Sequence, residues 1–214
     1  ESYDFHAIFT QIHDFCNGDL SAFYFDIRKD TLYCDSPASI ERRACRTVMD
    51  EVLQCLISWV APILCFTADE AWMAYRGDEN DSIHLHEYAA PAKAWQNPEL
   101  GQKWAAIRAL RSQITTALEA ARNDGLIGGS LSADIRVQTS AETAALLEGL
   151  DLASLCITSS AELIAGTGET KIEVRRADGG KCARCWKQFS EIPEDNDSDI
   201  CTRCQTVVAE QGAV

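Results

Sequence analysis

Two Cys-x2-Cys pairs near the C-terminus constrain this chain more than any other feature. Cys182 and Cys185 form the first pair, Cys201 and Cys204 the second, and fifteen residues lie between them. Each pair can present two sulfurs on one tight turn, and a loop of that length can bring the second pair round to complete a tetrahedron of thiolates. The spacing predicts one Zn2+ on Cys182, Cys185, Cys201 and Cys204. Two disulfides or four unrelated thiols fit less well, because the pairs are regular and the rest of the chain suits a reducing compartment. No histidine follows His86, so the sulfurs have no local competitor. Four protein ligands leave no open position for water or substrate, which makes the site structural. A module as short as residues 181–214, with few large apolar groups, needs such an ion to fold.

The 214 residues are enough to bury one sizeable core and carry a smaller unit beside it. Ten cysteines invite a secreted, disulfide-stapled reading. However, Cys16, Cys45, Cys55, Cys65 and Cys156 sit in apolar periodic segments, where buried thiols are ordinary. No apolar run is long enough to span a bilayer, and nothing at the N-terminus resembles a signal peptide. The expectation is a cytoplasmic monomer without a membrane partner. It opens on Glu1-Ser2-Tyr3 rather than on Met, within a pattern already under way, and so reads as a piece of a longer protein.

A net charge of −14 argues against general attraction to nucleic acid, so any polyanion must bind locally. Residues 1–99 hold 7 basic and 17 acidic side chains, residues 100–180 hold 8 and 10, and residues 181–214 hold 4 and 6. The second half is therefore close to balanced.

Helical periodicity dominates the first part. Phe5, Ile8, Phe9, Ile12, Phe15 and Cys16 recur at three- and four-residue steps, Asn17-Gly18 interrupts them, and Leu20, Phe23, Tyr24 and Ile27 resume. The polar stretch Arg28–Ser39 predicts a loop. A second long helix follows through Trp59, and Pro62 is placed to open the next, over Ile63–Tyr75. Arg76–Pro98 reads as a long connection. Leu100, Trp104, Ile107, Leu110, Ile114, Leu118 and Ala121 then make the clearest helical stripe, ending at Asn123-Asp124-Gly125. After Gly128-Gly129 the period changes to two, at Leu131, Ala133, Ile135 and Val137, again at Ile172 and Val174, with Leu155–Ile164 also strand-like. Between them Thr139-x-x-Glu142 has the form of a capping box opening a short helix. The expected fold is mainly α: a helical bundle over residues 1–125, a small α/β subdomain over 126–180, and a four-cysteine zinc knuckle over 181–214.

Little here suggests catalysis. His84 and His86 bracket one residue but lack a third partner, and there is no phosphate loop, nucleophile elbow or paired-carboxylate constellation. The knuckles instead carry Lys181, Arg184, Lys187 and Arg203, with Arg184 and Arg203 each just before the second cysteine of a pair. These cations can hold phosphates or simply offset the charge of the thiolates. Trp186 among them can stack on an unpaired base or pack over the knuckle. Arg42, Arg43 and Arg46 read as a solvated helix face.

The run Ala61-Pro62-Ile63-Leu64-Cys65-Phe66-Thr67-Ala68-Asp69-Glu70-Ala71-Trp72, after Phe23-Tyr24-Phe25-Asp26-Ile27-Arg28-Lys29-Asp30, resembles the anticodon-binding helical domain of the synthetases for Ile, Val and Leu. Gly128-Gly129-Ser130-Leu131 and the four-cysteine motif narrow the resemblance to the C-terminal part of bacterial-type isoleucyl-tRNA synthetases, over essentially the whole chain. The resemblance implies zinc on Cys182, Cys185, Cys201 and Cys204. It implies a tRNA(Ile) anticodon stem-loop as partner, with Trp186 and Arg184 facing it; Lys187, Arg203 and Arg43 are further candidate contacts by their charge alone, the role of Lys187 being left open by the resemblance. It also implies that the remaining catalytic and editing domains, absent from these residues, belong upstream. The knuckles resemble those of formamidopyrimidine-type DNA glycosylases too, but the N-terminal proline such enzymes use is absent. A zinc-locked structural cap without RNA contact is the other alternative.

Overall fold

The three- and four-residue spacing of apolar residues folds the start of the chain into one helical run. In the computed structural model, which describes residues 5–193 and 199–212, it comprises α1 (Phe5–Asp14), a π-wound stretch (Phe15–Phe25) and α2 (Asp26–Cys34). The interruption expected at Asn17-Gly18 is thus a wider winding rather than a break. Both residues are poor α-formers, and a π turn takes up the change of register. Leu20, Ile27 and Cys34, each two turns apart, are its buried positions. Helix also replaces the loop expected from Arg28 onward, as far as Cys34. The polar residues there mark the wet face of a helix, and the run stops only where Asp35 N donates to Thr31 O (3.4 Å), shortly before Pro37.

The chain divides into two compact units, Pro37–Pro98 on one hand and the described residues up to Ser36 with those from Glu99 onward on the other. In the larger unit, α5 (Pro98–Asn123) buries Ile107, Leu110, Ile114, Leu118 and Ala121 along one face. It closes with Leu126 N on Ala121 O (2.9 Å) across Gly125 at φ +74°, a left-handed stop that glycine tolerates.

Strict alternation then makes a strand. β1 (Ala133–Ser140) turns Ala133, Ile135, Val137 and Thr139 inward, between β2 (Ser160–Gly166), to which it is parallel, and β3 (Lys171–Arg176), to which it is antiparallel. A parallel pair needs a crossover, supplied by α6 (Ala141–Leu146) and α7 (Leu152–Cys156). Two local readings shift here. The cap of α6 is Ser140, whose Oγ accepts from Thr143 N–H (3.1 Å), while Thr139 is spent as an inward residue of β1, 3.0 Å from Thr170 Oγ1. The strand-like stretch from Leu155 begins as α7, turns at Ile157 (φ +59°) and becomes extended only at Ser160. Helices and sheet share one core, with Ile27, Ile107, Ile114, Ile135, Val137 and Leu155 in the same buried cluster. Each such residue contributes ~1.5–3 kcal/mol by burial.

In the smaller unit, α3 (Ile40–Val60) starts from Ser39, whose Oγ accepts from Arg42 N–H, and packs on α4 (Cys65–Arg76) through Ile57, Ala61, Ala68 and Trp72. Pro62 ends α3 instead of opening α4: lacking an N–H, it interrupts the ladder, and Ile63 and Leu64 turn back to Val60 O. The long connection is tied down by Asp69, which accepts from Ser82 Oγ (2.6 Å) and Ile83 N (3.0 Å). His84 contacts Cys65 O and His86 contacts Asp81, so the two histidines serve this connection. Among the described residues no helix is long and apolar enough to cross a membrane.

Candidate metal centre and the surface around it

β4 (Gly180–Lys181) pairs antiparallel with β5 (Gln188–Phe189), and the turn between them carries the first cysteine pair. The hairpin approaches its own chain too closely for side chains at its base. A Cβ on Gly179, which sits at φ +83°, would lie 2.0 Å from Phe189 O, and one on Gly180 would lie 2.1 Å from Pro193 O. Cys182 N donates to Lys187 O and Trp186 N to Cys182 O (both 2.9 Å), with Trp186 at φ +69°. Cys201 immediately precedes α8 (Thr202–Gly212), whose start is capped by Glu191, accepting from Thr202 N (3.0 Å) and Oγ1 (3.1 Å). Ala183 N to Asp199 O (2.9 Å) joins the two knuckles.

The four sulfurs of Cys182, Cys185, Cys201 and Cys204 all lie within 4.8 Å of one another, and all four residues are buried. A tetrahedron with Zn–S bonds of ~2.3 Å has edges of ~3.8 Å, and Cys185 Sγ is 3.9 Å from Cys201 Sγ. The cluster can therefore hold a metal ion, and the donor set suits a soft or borderline cation. Burial raises the Cys182 thiol, but the amides of Cys185, Cys201 and Arg184 outweigh it and bring the pKa down to about 6. Burial, with neighbouring sulfurs, pushes Cys185 and Cys201 up.

The five candidate contact residues fall in different settings. Trp186 is 58% exposed at the tip of the first knuckle, with Lys181 Nζ 5.0 Å from its ring centre. Lys187 Nζ lies 3.4 Å from Ser154 Oγ. Arg184 turns inward to the end of α2, donating to Cys34 O (2.6 Å) and Tyr33 O (3.1 Å). Arg203 donates to both carboxylate oxygens of Asp30 (2.7 Å each). Arg43 is exposed on α3, in the other unit. Beside the first knuckle a cavity of about 490 Å3 opens between α2 and the turn, lined among others by Lys29, Tyr33, Cys34, Ile157, Trp186 and Lys187.

Three participants escaped the sequence reading: Cys34, Asp30 and Asp35. Cys34 is buried in the cluster of the four cysteines, and its Sγ donates to Arg184 O (3.8 Å). Burial, then the Asp30 carboxylate, push its thiol up to about 11, so it remains a protonated donor. No local pattern links these residues to cysteines more than 140 positions away.

Burial also works against the Asp30 charge, but Arg203, helped by Lys187, outweighs it and holds the carboxyl below its ordinary value. A depressed carboxylate stabilises the fold above its unfolded pKa, ~3.9, and that stability is lost as pH falls through the folded value. Asp30→Asn should therefore flatten the acid limb of the stability–pH curve below about pH 4, with little effect on its slope at neutral pH. Denaturant titrations at a series of pH values would show this, and an unchanged acid limb would remove Asp30 from the account.

The sequence pattern of the family described as the anticodon-binding domain of tRNA ligase matches residues 1–137, well over half of the chain. The chain belongs to this family. Likeness to individual proteins extends through the cysteine knuckles. The isoleucine–tRNA ligase of Gluconobacter oxydans is 48% identical over 213 residues, 98% of this chain and 22% of that protein. Those of Zymomonas mobilis and Bacillus mycoides are each 40% identical, covering 97% and 98% of this chain and 22% and 24% of theirs. The chain thus spans under a quarter of the length of these relatives. Within this anticodon-binding family member, the matched segment contains α1 to α5 and the start of β1, while the cysteine cluster lies beyond it.

Proposed function

We propose that this chain is the tRNA-recognition part of a cytoplasmic isoleucine–tRNA ligase, which joins isoleucine to its tRNA using ATP, and that it binds the anticodon stem-loop of tRNA(Ile). The observation that carries this is the anticodon-binding match over residues 1–137 together with likeness to isoleucine–tRNA ligases along nearly the whole chain. The chemistry of activation and transfer belongs to the rest of the ligase. Cys182, Cys185, Cys201 and Cys204 hold one Zn2+, a choice supported by four buried sulfurs in mutual reach. With all four positions taken by protein, the ion cross-links the knuckles and offers no site for water or substrate.

The exposed indole of Trp186, with Lys181 over one face and Lys187 next to it, suits an unpaired base stacked on the other face and phosphates beside it. Stacking on an aromatic contributes ~1–3 kcal/mol per base. Trp186→Ala in the full-length ligase should accordingly raise KM for tRNA(Ile) by roughly 5- to 150-fold while amino-acid-dependent ATP–pyrophosphate exchange continues unchanged. Footprinting of tRNA(Ile) should show anticodon-loop protection weakened by the same substitution. Protection confined to other parts of the tRNA would refute the stem-loop assignment.

One observation favours a purely structural knuckle: Arg184 and Arg203 spend their donors on α2. On that reading KM for tRNA does not respond to Trp186→Ala.

A further inference from the structure

The last turn of α2 ends at Cys34, against the cysteine cluster, and an arginine from each knuckle grips it. Arg184 Nη1 and Nη2 donate to Cys34 O and Tyr33 O, and Nη1 also lies 3.6 Å from Cys204 Sγ. The contact is returned, Cys34 Sγ donating to Arg184 O. On the other side, Arg203 forks onto both oxygens of Asp30, and its Nη1 reaches Asp35 Oδ1 (3.3 Å). The final carbonyls of a helix have no partner within it, and a cation there opposes the negative end of the helix dipole. A planar fork serves two such carbonyls at once, which a lysine's point charge cannot do.

Both arginines stand one residue before the second cysteine of their pair, so whatever fixes those cysteines fixes both grips. We propose that Arg184 and Arg203 are positioning residues that join the last turn of α2 to the metal-loaded cysteine cluster as one cooperative element, so that metal occupancy decides whether that turn is held. This rests on the reading that the four cysteines bind a metal. The consequence reaches the surface: Tyr33, Cys34, Arg184 and Trp186 line the same cavity, so release of the turn removes one of its walls. Coupling of this kind is reciprocal. If the metal favours the gripped turn, the grip favours the metal by the same factor.

The test uses the whole 214-residue chain and reads zinc content, zinc affinity against a competing chelator, and amide hydrogen exchange. Wild type should carry one zinc per chain and protect the amides of residues 33–35. Chelation should abolish that protection along with that of Ala183 and Gln205, while Ile135 and Val137 in β1 stay protected. Arg184→Gln should still bind zinc, but about tenfold or more weakly, as loss of a contact to a ligand typically does, and should expose residues 33–35 even when loaded. Arg184→Lys should recover part of the affinity through its charge without restoring that protection. Asp30→Asn, which leaves both knuckles intact, should weaken zinc binding from the helix side.

Equal protection of residues 33–35 with and without zinc overturns the grip, as does Arg184→Gln with wild-type affinity and protection. Full restoration by Arg184→Lys reduces Arg184 to charge neutralisation and also overturns it. A wild-type chain that binds no zinc refutes the metal reading itself and the coupling with it, whereas zinc bound without effect on α2 refutes the coupling alone.

Discussion

Cys204→Ser should abolish the proposed zinc binding and unravel both knuckles while the three-stranded sheet stays folded. Serine offers a hard, protonated oxygen in place of a thiolate, and three sulfurs cannot close a tetrahedral shell. The remaining glue is small. Among the described residues, Ile192 is the well-buried aliphatic residue of the cluster, with Phe189 and Ile200 half-buried beside it. At ~1.5–3 kcal/mol for each fully buried side chain, they fall well short of the ~10–16 kcal/mol that zinc supplies to small structural sites near neutral pH. Loss of the ion should therefore leave the amides of Cys182, Ala183, Trp186 and Gln205 exchanging at unprotected rates, with zinc content falling below one per chain. The sheet draws its stability from a different cluster, headed by Ile114, Ile135 and Val137, and should keep its protection. Knuckle amides that stay protected in Cys204→Ser would show that packing, not metal, organises this end of the chain.

The parts of the fold that were legible in the sequence are those whose cause is local. Two Cys-x2-Cys pairs encode their own turns, and the four sulfurs converge as the spacing requires. The α5 stripe and the β1 alternation appear in their expected periods because each element presents one face to a core. Period, however, reports that a face is buried and not what covers it. That the α5 stripe and β1 fill the same core was not readable, nor that Cys34 closes on a cluster 150 positions away. Arg28–Cys34 is helical despite a loop-like composition, because a surface helix with one apolar edge has just such a composition. Thr139 does not cap α6, because its inward place in β1 outcompetes a capping role that its neighbour Ser140 fills equally well. For Arg184 and Arg203, sequence shows charges beside thiolates. Only the fold shows that they point at backbone carbonyls and at Asp30.

Ile114→Ala tests the shared core directly. Ile114 is fully buried at the middle of the α5 stripe, and truncation of an aliphatic side chain at such a site costs ~2–5 kcal/mol, since the lost transfer energy is compounded by the cavity left behind. Because Ile135 and Val137 belong to the same cluster, the loss should not stay in the helix. Native-state hydrogen exchange should show the protection free energies of the slowest amides in α5 and in β1 falling by the same amount, while zinc content remains at one per chain. Phe66→Ala supplies the contrast: Phe66 is 87% exposed, and a change at such a site is expected within ~0.5 kcal/mol. If Ile114→Ala loosened α5 while β1 kept its full protection, helix and sheet would be separately stable, and α5 would be coupled to the α/β part by sequence alone. Equal losses mean that a contact on the helices is felt in the sheet to which the knuckle hairpin is joined, giving the proposed tRNA-binding surface one mechanical frame.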